Sequence, residues 1–157
     1  GIQALQESFD GLSNSLQSLQ ALQASTLVGR TVLVDGNSTM LSPGGSISGT
    51  VSAADASNVV LSVYNTAGVL MHQDSLTTDS DGETRFDWNG VTDSGPAPAG
   101  TYRVSAQGSS KGDPIALSTQ VVAAVDSVTV GRGGIGLTLN LAGAGSVAAG
   151  DVIEIRQ

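Results

Sequence analysis

Cysteine is absent from this 157-residue chain, histidine occurs once, and aromatic residues make up only 3% of it. Without thiols the chain forms neither disulfides nor thiolate metal sites, and a single histidine does not make a zinc site. The absence of cysteine is compatible with a reducing cytosol and equally with export of an unfolded chain through a secretion channel.

Positive charge is also scarce. Six Lys and Arg against fourteen Asp and Glu give a formal net charge of −8. Phosphate repulsion and the lack of a basic patch lead us to expect no nucleic-acid partner. No apolar run is long enough to span a bilayer and no signal-peptide pattern opens the chain, so we expect no membrane insertion. The chain begins at Gly1 rather than Met, in the middle of a pattern, which predicts a fragment that lacks its N-terminal part.

The residues that are present predict a folded, mainly β chain. The hydrophobic fraction is 39%, and short Val, Thr and Ser segments alternate with turns built on 21 glycines. The stretch from Phe86 to Tyr102 holds the only tryptophan and one of two tyrosines, so it should centre the core. We interpret it as two strand ends joined by turns, a structural motif without a catalytic group. Its members are Trp88, Gly90, Asp93, Gly95, Gly100 and Tyr102.

Residues 1–26 predict an amphipathic helix. Apolar residues recur there at spacings of three and four, and Glu7 and Asp10 are the only charges. Such a stripe must be buried, either on the same chain or against a partner helix or a second copy. The candidates for self-association or docking are Leu5, Phe9, Leu12, Leu16 and Leu19.

From Leu27 the hydrophobic period changes to two. Residues 31–34 and 39–41 flank the turn residues 35–38 and predict a hairpin. Six further strands are predicted at the density of an immunoglobulin-like or fibronectin-type sandwich. They are Ile47–Ser52, Val59–Tyr64, Val69–Gln73, Thr84–Trp88, Tyr102–Ala106 and Ile115–Val121.

The C-terminal part predicts three tight strands of a small barrel. Neither this part nor residues 27–44 is large enough to close a core alone, so we expect them to pair. The predicted domains are therefore a helix (1–26), a discontinuous barrel (27–44 plus 122–157) and an inserted sandwich (45–121). Insertion is physically plausible because domain termini often lie close together at the surface.

Three sequence motifs are weak. Residues 131–136 match G-x-G-x-x-G, but alternating Leu and polar residues follow where a dinucleotide site needs a helix, so we expect a hairpin. Residues 108–112 match G-x-S-x-G without a following helix or a nearby histidine base, since the sole histidine is His72. Asp79 and Asp81 begin like a calcium loop, but the later Glu is missing and a solvated turn explains the same composition. We expect no enzyme activity and no cofactor.

The order of segments resembles that of one family. The Gln- and Leu-rich helix is followed by A-S-T-L-V-G-R-T-V (24–32), by V-Y-N-T-A-G (63–68), and by W-N-G, D-S-G and G-T-Y within residues 88–102. Together these resemble the bacterial flagellar hook-capping family over essentially the whole chain. Asn89 stands where that family more often has Asp, a change that keeps the turn.

The resemblance implies a fold and a function. The fold is a fibronectin-like sandwich inserted in a tudor-like, SH3-like barrel. The function is a homo-oligomeric scaffolding cap at the distal tip of the growing hook, which promotes insertion of hook-protein subunits and is displaced on completion. The resemblance also implies extracellular localisation after type III export, with the flagellar export apparatus engaging an N-terminal region absent from this sequence.

Two alternatives from other classes remain open at this stage. One is a secreted immunoglobulin-like module that binds carbohydrate or a cell surface, although such modules usually display aromatic platforms. The other is a spacer in a larger secreted protein, which would not self-associate.

Overall fold

The computed structural model describes residues 1–53, 56–77, 83–131 and 136–156. Within these ranges there are one α-helix, one single-turn 3₁₀ helix and thirteen strands. The helices are α1 (Ile2–Ser25) and the 3₁₀ turn Ala149–Asp151. The strands are β1 (Thr31–Asp35), β2 (Ser38–Leu41), β3 (Ile47–Ser52), β4 (Ser57–Tyr64), β5 (Leu70–Leu76), β6 (Glu83–Trp88), β7 (Val91–Thr92), β8 (Gly95–Pro96), β9 (Gly100–Ser110), β10 (Asp113–Val130), β11 (Leu137–Leu141), β12 (Gly145–Ala148) and β13 (Val152–Arg156).

The helix and the six strands predicted between residues 45 and 121 are all present. The ends of the first five strands differ from the prediction by at most four residues, whereas the last strand, β10, continues nine residues past the predicted end at Val121. Strand β6 shows why an alternation of apolar and polar residues predicts a strand. Thr84, Phe86 and Trp88 are buried, and the residues between them are exposed, as expected for a strand with one face on a core.

Five strands form a continuous antiparallel run, and we call them the barrel strands because they lie in or extend from the segments predicted to form the barrel. β1 pairs antiparallel with β10 on one side and with β13 on the other. β10 continues to β11, and β11 to β12. The 3₁₀ turn Ala149–Asp151 separates β12 from β13. The predicted pairing of the segment after the helix with the C-terminal segment is confirmed by the β1–β13 ladder.

The remaining long strands, which we call the sandwich strands, form two layers. β3 pairs with β6 and with the middle of β10. In the other layer β4 pairs with β5 and β9, and β9 also pairs with β2 and with the start of β10. Rings from the two layers meet, because Trp88 of β6 and Tyr102 of β9 lie edge to face with centroids 5.6 Å apart.

The hairpin predicted around residues 35–38 is wrong. All of residues 31–41 are described, and β1 pairs with β10 and β13 while β2 pairs with β9. The segment Gly36–Asn37 therefore carries the chain from the barrel strands to the sandwich strands. Turn residues between two apolar runs predict a reversal of the chain, but they do not determine which strand becomes the neighbour.

Two strands cross the predicted domain boundaries. β2, from the segment assigned to the barrel, pairs with the sandwich strand β9. β10 runs unbroken from the β9 hairpin to the β11 hairpin and belongs to both parts. As a result the buried side chains form one continuous cluster that includes Val34 and Leu139 of the barrel strands and Ile47 and Val104 of the sandwich strands.

A buried polar side chain, Gln120 of β10, links β1 and β3 through hydrogen bonds. Gln120 is 7% exposed. Its Oε1 accepts from Thr50 Oγ1 at 2.7 Å, and its Nε2 donates to Asp35 Oδ1 at 3.2 Å. A buried amide is stable only when both its ends are paired. Here the two partners come from the sandwich strand β3 and the barrel strand β1.

Candidate functional site

Helix α1 carries its apolar stripe on the surface. Leucine, glutamine and alanine favour helix over most of its length. The predicted docking side chains are all largely exposed, by between 54% and 72%. They are Leu5, Phe9, Leu12, Leu16 and Leu19. The structure thus places all five on the helix and leaves them available to an external surface.

The end of α1 is fixed to the barrel strands. Ser25 Oγ donates to the carbonyl of Leu22 at 2.6 Å in the last turn of the helix. The Gly29 amide then donates to the Val125 carbonyl at 2.9 Å, and the Val125 amide to the Arg30 carbonyl at 2.8 Å. The main contact of α1 with the sheets is with β10. The helix is therefore attached near its C-terminal end, with its stripe outside the core.

Two residues of the stripe were missing from the predicted docking set. Ile2 is 78% exposed and Leu22 is 67% exposed. The spacing of three residues from Leu19 to Leu22 was the signal that would have added the latter. The exposed stripe extends along nearly the whole helix once these residues are included.

The segment from Trp88 to Tyr102 lies at the meeting point of the two sandwich layers. Trp88 is 2% exposed and its Nε1 donates to the Val91 carbonyl at 3.0 Å. His72 stacks on the Trp88 ring with centroids 5.6 Å apart. The Tyr102 hydroxyl donates to the Pro98 carbonyl. The indole and phenol are thus buried with their polar atoms paired, as large aromatic side chains require.

The predicted turn residues of this segment occupy a small hairpin. β7 pairs with β8, with Thr92 opposite Gly95, so Asp93 lies in the turn between them. Gly90 is buried, has φ of +78°, and accepts from the Ala97 amide at 2.8 Å. Gly100 begins β9, two residues before Tyr102. The geometry of this segment closes the sheet layers and brings no acid, base and nucleophile together.

The weak motifs fall in hairpins or outside the described residues. Residues 132–135 and the calcium candidates Asp79 and Asp81 lie outside the described ranges. The flanks of the glycine-rich motif pair as β10 and β11, with Val130 opposite Leu137, which confirms the predicted hairpin context. Ser110 ends β9 opposite Asp113, across a two-residue turn. Among the described residues, no group of three or more His, Cys, Asp or Glu is placed to hold a metal ion.

A helix long and apolar enough to cross a membrane is not found among the described residues.

A protein-family model described as the FlgD Tudor-like domain matches residues 19–153. The chain belongs to the FlgD family. The crystal structure of FlgD from P. aeruginosa is 35% identical, with a TM-score of 0.70, over 82% of this chain and 97% of that one. FlgD from Xanthomonas campestris is 34% identical, with a TM-score of 0.71, over 87% and 99% of the two chains.

Curated sequences extend the FlgD match to the helix. The basal-body rod modification protein FlgD of Escherichia coli is 28% identical over 99% of this chain and 70% of its own length. The FlgD protein of Salmonella typhimurium is 27% identical over 100% of this chain and 69% of its own length. Membership of the FlgD family confirms the resemblance found in the sequence, together with a mainly β fold that includes a tudor-like domain.

Proposed function

We propose that this chain acts as the scaffolding cap at the distal end of the growing flagellar hook, where it promotes assembly of hook-protein subunits and leaves once the hook is complete. The observation that carries the proposal is the family match over residues 19–153. The related Xanthomonas campestris structure is described in terms of a hook capping that is essential for flagellar assembly. The chain would reach this extracellular site through the type III export apparatus.

In this proposal the protein is a homo-oligomer that binds hook protein and performs no catalysis. Its β strands supply a stiff body, and α1 supplies the apolar surface. Burying the exposed part of one leucine side chain contributes about 1 kcal/mol, so several such residues on neighbouring copies hold a cap through contacts that are individually weak. The acidic net charge of −8 works against nucleic-acid binding, and the protein would act without a cofactor or membrane insertion.

We further propose that the fold is a fibronectin type III-like sandwich inserted into a tudor-like barrel, after the helix (1–26), with β2 paired to the sandwich although it lies in the segment 27–44 assigned to the barrel. Two observations support the insertion. β1 and β10 are neighbours among the barrel strands, although the sandwich strands lie between them in sequence. The bond from the Tyr102 hydroxyl to Pro98, four residues upstream, resembles the tyrosine corner of immunoglobulin-like sandwiches. Strand β2 then forms the seam between the two parts.

The alternative of a carbohydrate-binding module is less well supported. Such modules usually present a platform of exposed aromatic rings, and the only tryptophan, Trp88, is buried between His72 and Tyr102. The family match favours the cap.

Deletion of the gene tests the cap function directly. We expect electron microscopy of basal bodies to show rods without hooks, and immunoblotting to show hook protein lost to the medium, because subunits that arrive without a cap do not insert. Expression of the intact protein in the same strain should restore hooks. Hooks of normal length and frequency in the deletion strain would refute the proposed function.

The double substitution of Leu12→Asp and Leu16→Asp tests the helix surface. Both side chains are more than half exposed, so the β strands should stay folded, with an unchanged urea midpoint. Two carboxylates on the stripe cannot be buried without a partner, and we therefore expect loss of assembly and of hook formation. Sedimentation of the purified protein and hook counts in the complemented strain measure the two effects.

A matched control adds the same charge elsewhere on the helix. Asn14→Asp with Ser18→Asp places two carboxylates on the opposite, polar side of α1. This control should assemble and support hook formation. Equal loss in both variants would show that helix charge matters and the stripe does not; no loss in either would show that α1 is not the assembly surface.

A further inference from the structure

We propose that Asn89 is a self-modifying site, at which the side-chain amide converts to aspartate and isoaspartate through a cyclic imide closed by the backbone nitrogen of Gly90. The reaction is fastest at an asparagine whose successor has no side chain to obstruct ring closure. Six asparagines occur in the chain, and Asn89 alone is followed by glycine. The others are Asn14, Asn37, Asn58, Asn65 and Asn140, which precede Ser, Ser, Val, Thr and Leu.

The two neighbouring residues that take part in the reaction have different environments. Asn89 is exposed, so water reaches the amide and ammonia leaves freely. Gly90 is buried, where a β-carbon would lie 3.2 Å from Leu41 Cδ1 and 3.3 Å from the Gly45 carbonyl oxygen. The fold thus selects glycine at position 90 for packing, and the same choice leaves the nitrogen of Gly90 unhindered toward Asn89.

A hydrogen bond polarises the group to be attacked. The Val91 amide donates to Asn89 Oδ1 at 3.1 Å. This bond folds the side-chain carbonyl back over the turn, in which Gly90 is the intervening residue. A donor aimed at a carbonyl oxygen stabilises the negative charge that develops there when a nucleophile adds to the carbon. Val91 N–H is therefore placed to assist the first step.

The steps balance without any external oxidant or reductant. The Gly90 nitrogen forms a bond to Asn89 Cγ as its proton passes to solvent. The Cγ–Nδ2 bond then breaks, and the side-chain nitrogen takes up a proton from solvent and leaves as ammonia. Water adds to the imide. Cleavage of the new bond at Cγ gives aspartate, and cleavage at the main-chain carbonyl of residue 89 gives isoaspartate, with the chain rerouted through the former side chain.

The two products have different structural consequences. Aspartate keeps an oxygen that can accept from Val91 and adds one negative charge. Isoaspartate inserts an extra methylene into the backbone immediately before Gly90, whose carbonyl accepts from Ala97 at 2.8 Å, and before Val91, whose carbonyl accepts from Trp88 Nε1 at 3.0 Å. The isoaspartate form should therefore loosen the packing of Trp88, whereas the aspartate form should leave it intact.

Timed incubation of the full chain tests the proposal. The protein is held at mildly alkaline pH and digested, and each asparagine-containing peptide is followed by mass spectrometry for the gain that distinguishes Asp from Asn. An isoaspartyl methyltransferase assay counts the rerouted product. We expect residue 89 to convert before the other five sites, faster as pH rises, and to yield both products. Asn89→Gln should lose the product, because a longer side chain must close a larger ring.

A synthetic peptide of residues 86–92 gives the rate of conversion of the unfolded sequence in the same buffer. If that peptide converts fully while the protein retains Asn89, the folded turn protects the residue and the proposal is wrong. Earlier conversion of any other asparagine would also overturn it. Asn89→Asp should keep the urea midpoint of the parent, and the isoaspartate fraction should unfold at lower urea. These measurements do not involve hook assembly, so a failure of this proposal can be told apart from a failure of the proposed cap function.

Discussion

Replacing Trp88 with alanine should lower the free energy of unfolding by about 3–5 kcal/mol, the range for truncating a buried large aromatic side chain. Trp88 is 2% exposed, with its ring between His72 and Tyr102. Truncation leaves a cavity between the two sheet layers and removes the donor to the Val91 carbonyl. Since a domain of this size is stable by only about 5–15 kcal/mol, the variant should be close to its folding limit.

Urea unfolding followed by far-UV circular dichroism measures the effect, because the substitution removes the fluorescent reporter. With an m-value of about 2 kcal/mol/M, the midpoint should fall by about 2 M. Val69→Ala is the matched control. Val69 is 54% exposed, and its truncation should change stability by less than about 0.5 kcal/mol. A loss of that small size for Trp88→Ala would mean that the aromatic cluster does not anchor the core.

Trp88→Phe separates the ring contacts from the hydrogen bond. Phenylalanine keeps an aromatic face for His72 but lacks the indole N–H, so the Val91 carbonyl loses its donor. We expect a loss intermediate between the parent and Trp88→Ala. If Trp88→Phe and Trp88→Ala are equally destabilised, the loss of stability comes from what both substitutions remove, the N–H donor and the shape of the indole ring, and not from the volume of the cavity.

The sequence was sufficient for elements whose signal is local. The apolar spacing of three and four predicted α1, and alternation predicted β3, β4 and β6 nearly to the residue, because burial of one face imposes the period of the backbone on the side chains. The Trp88–Tyr102 segment was identified as a core motif for a different reason. It concentrates the rare aromatic residues, and a chain with few of them has little choice of where to bury them.

Strand partners were not predictable in the same way. Residues 35–38 have turn chemistry, and they indeed redirect the chain, yet β2 pairs with β9 rather than with β1. The choice depends on contacts that are distant in sequence. Thr39 Oγ1 donates to the Val122 carbonyl at 2.9 Å, and Ser38 Oγ donates to the Gly143 carbonyl at 2.6 Å. No local pattern encodes such partners, and the domain boundary assigned from composition consequently missed the crossing of β2.

The candidate assembly surface was partly predictable. Periodicity located the stripe from Leu5 to Leu19 but could not decide whether its own chain covers it. The structure leaves it exposed because α1 is attached to the sheets mainly at its C-terminal end, through Gly29, Arg30 and Val125. Hydrophobic periodicity shows which side chains share one face of a helix, but the burial of that face depends on tertiary contacts that the period does not encode.

The second large loss of stability is expected for a substitution at the contact between the barrel and the sandwich strands. Gly143 has φ of +74°, and a β-carbon there would lie 2.6 Å from Met40 N and 2.7 Å from Thr39 C. Both contacts are backbone atoms of β2, so no rotamer change relieves them. Gly143→Ala should destabilise the fold by about 1–2 kcal/mol for the left-handed conformation and by about 1–3 kcal/mol more for overpacking.

A substitution at Gly145 distinguishes the cost of the left-handed conformation from the cost of overpacking. It has nearly the same φ, +75°, but a β-carbon added there would meet nothing within 4 Å. Gly145→Ala should therefore show the conformational term alone, and the difference between the two urea midpoints measures the close approach of the β11–β12 turn to β2. If the two variants are equally destabilised, that turn moves away from β2 at no cost, and the barrel and sandwich strands are not held rigidly at this seam. A clear excess for Gly143→Ala would show that the β11–β12 turn is held firmly against β2.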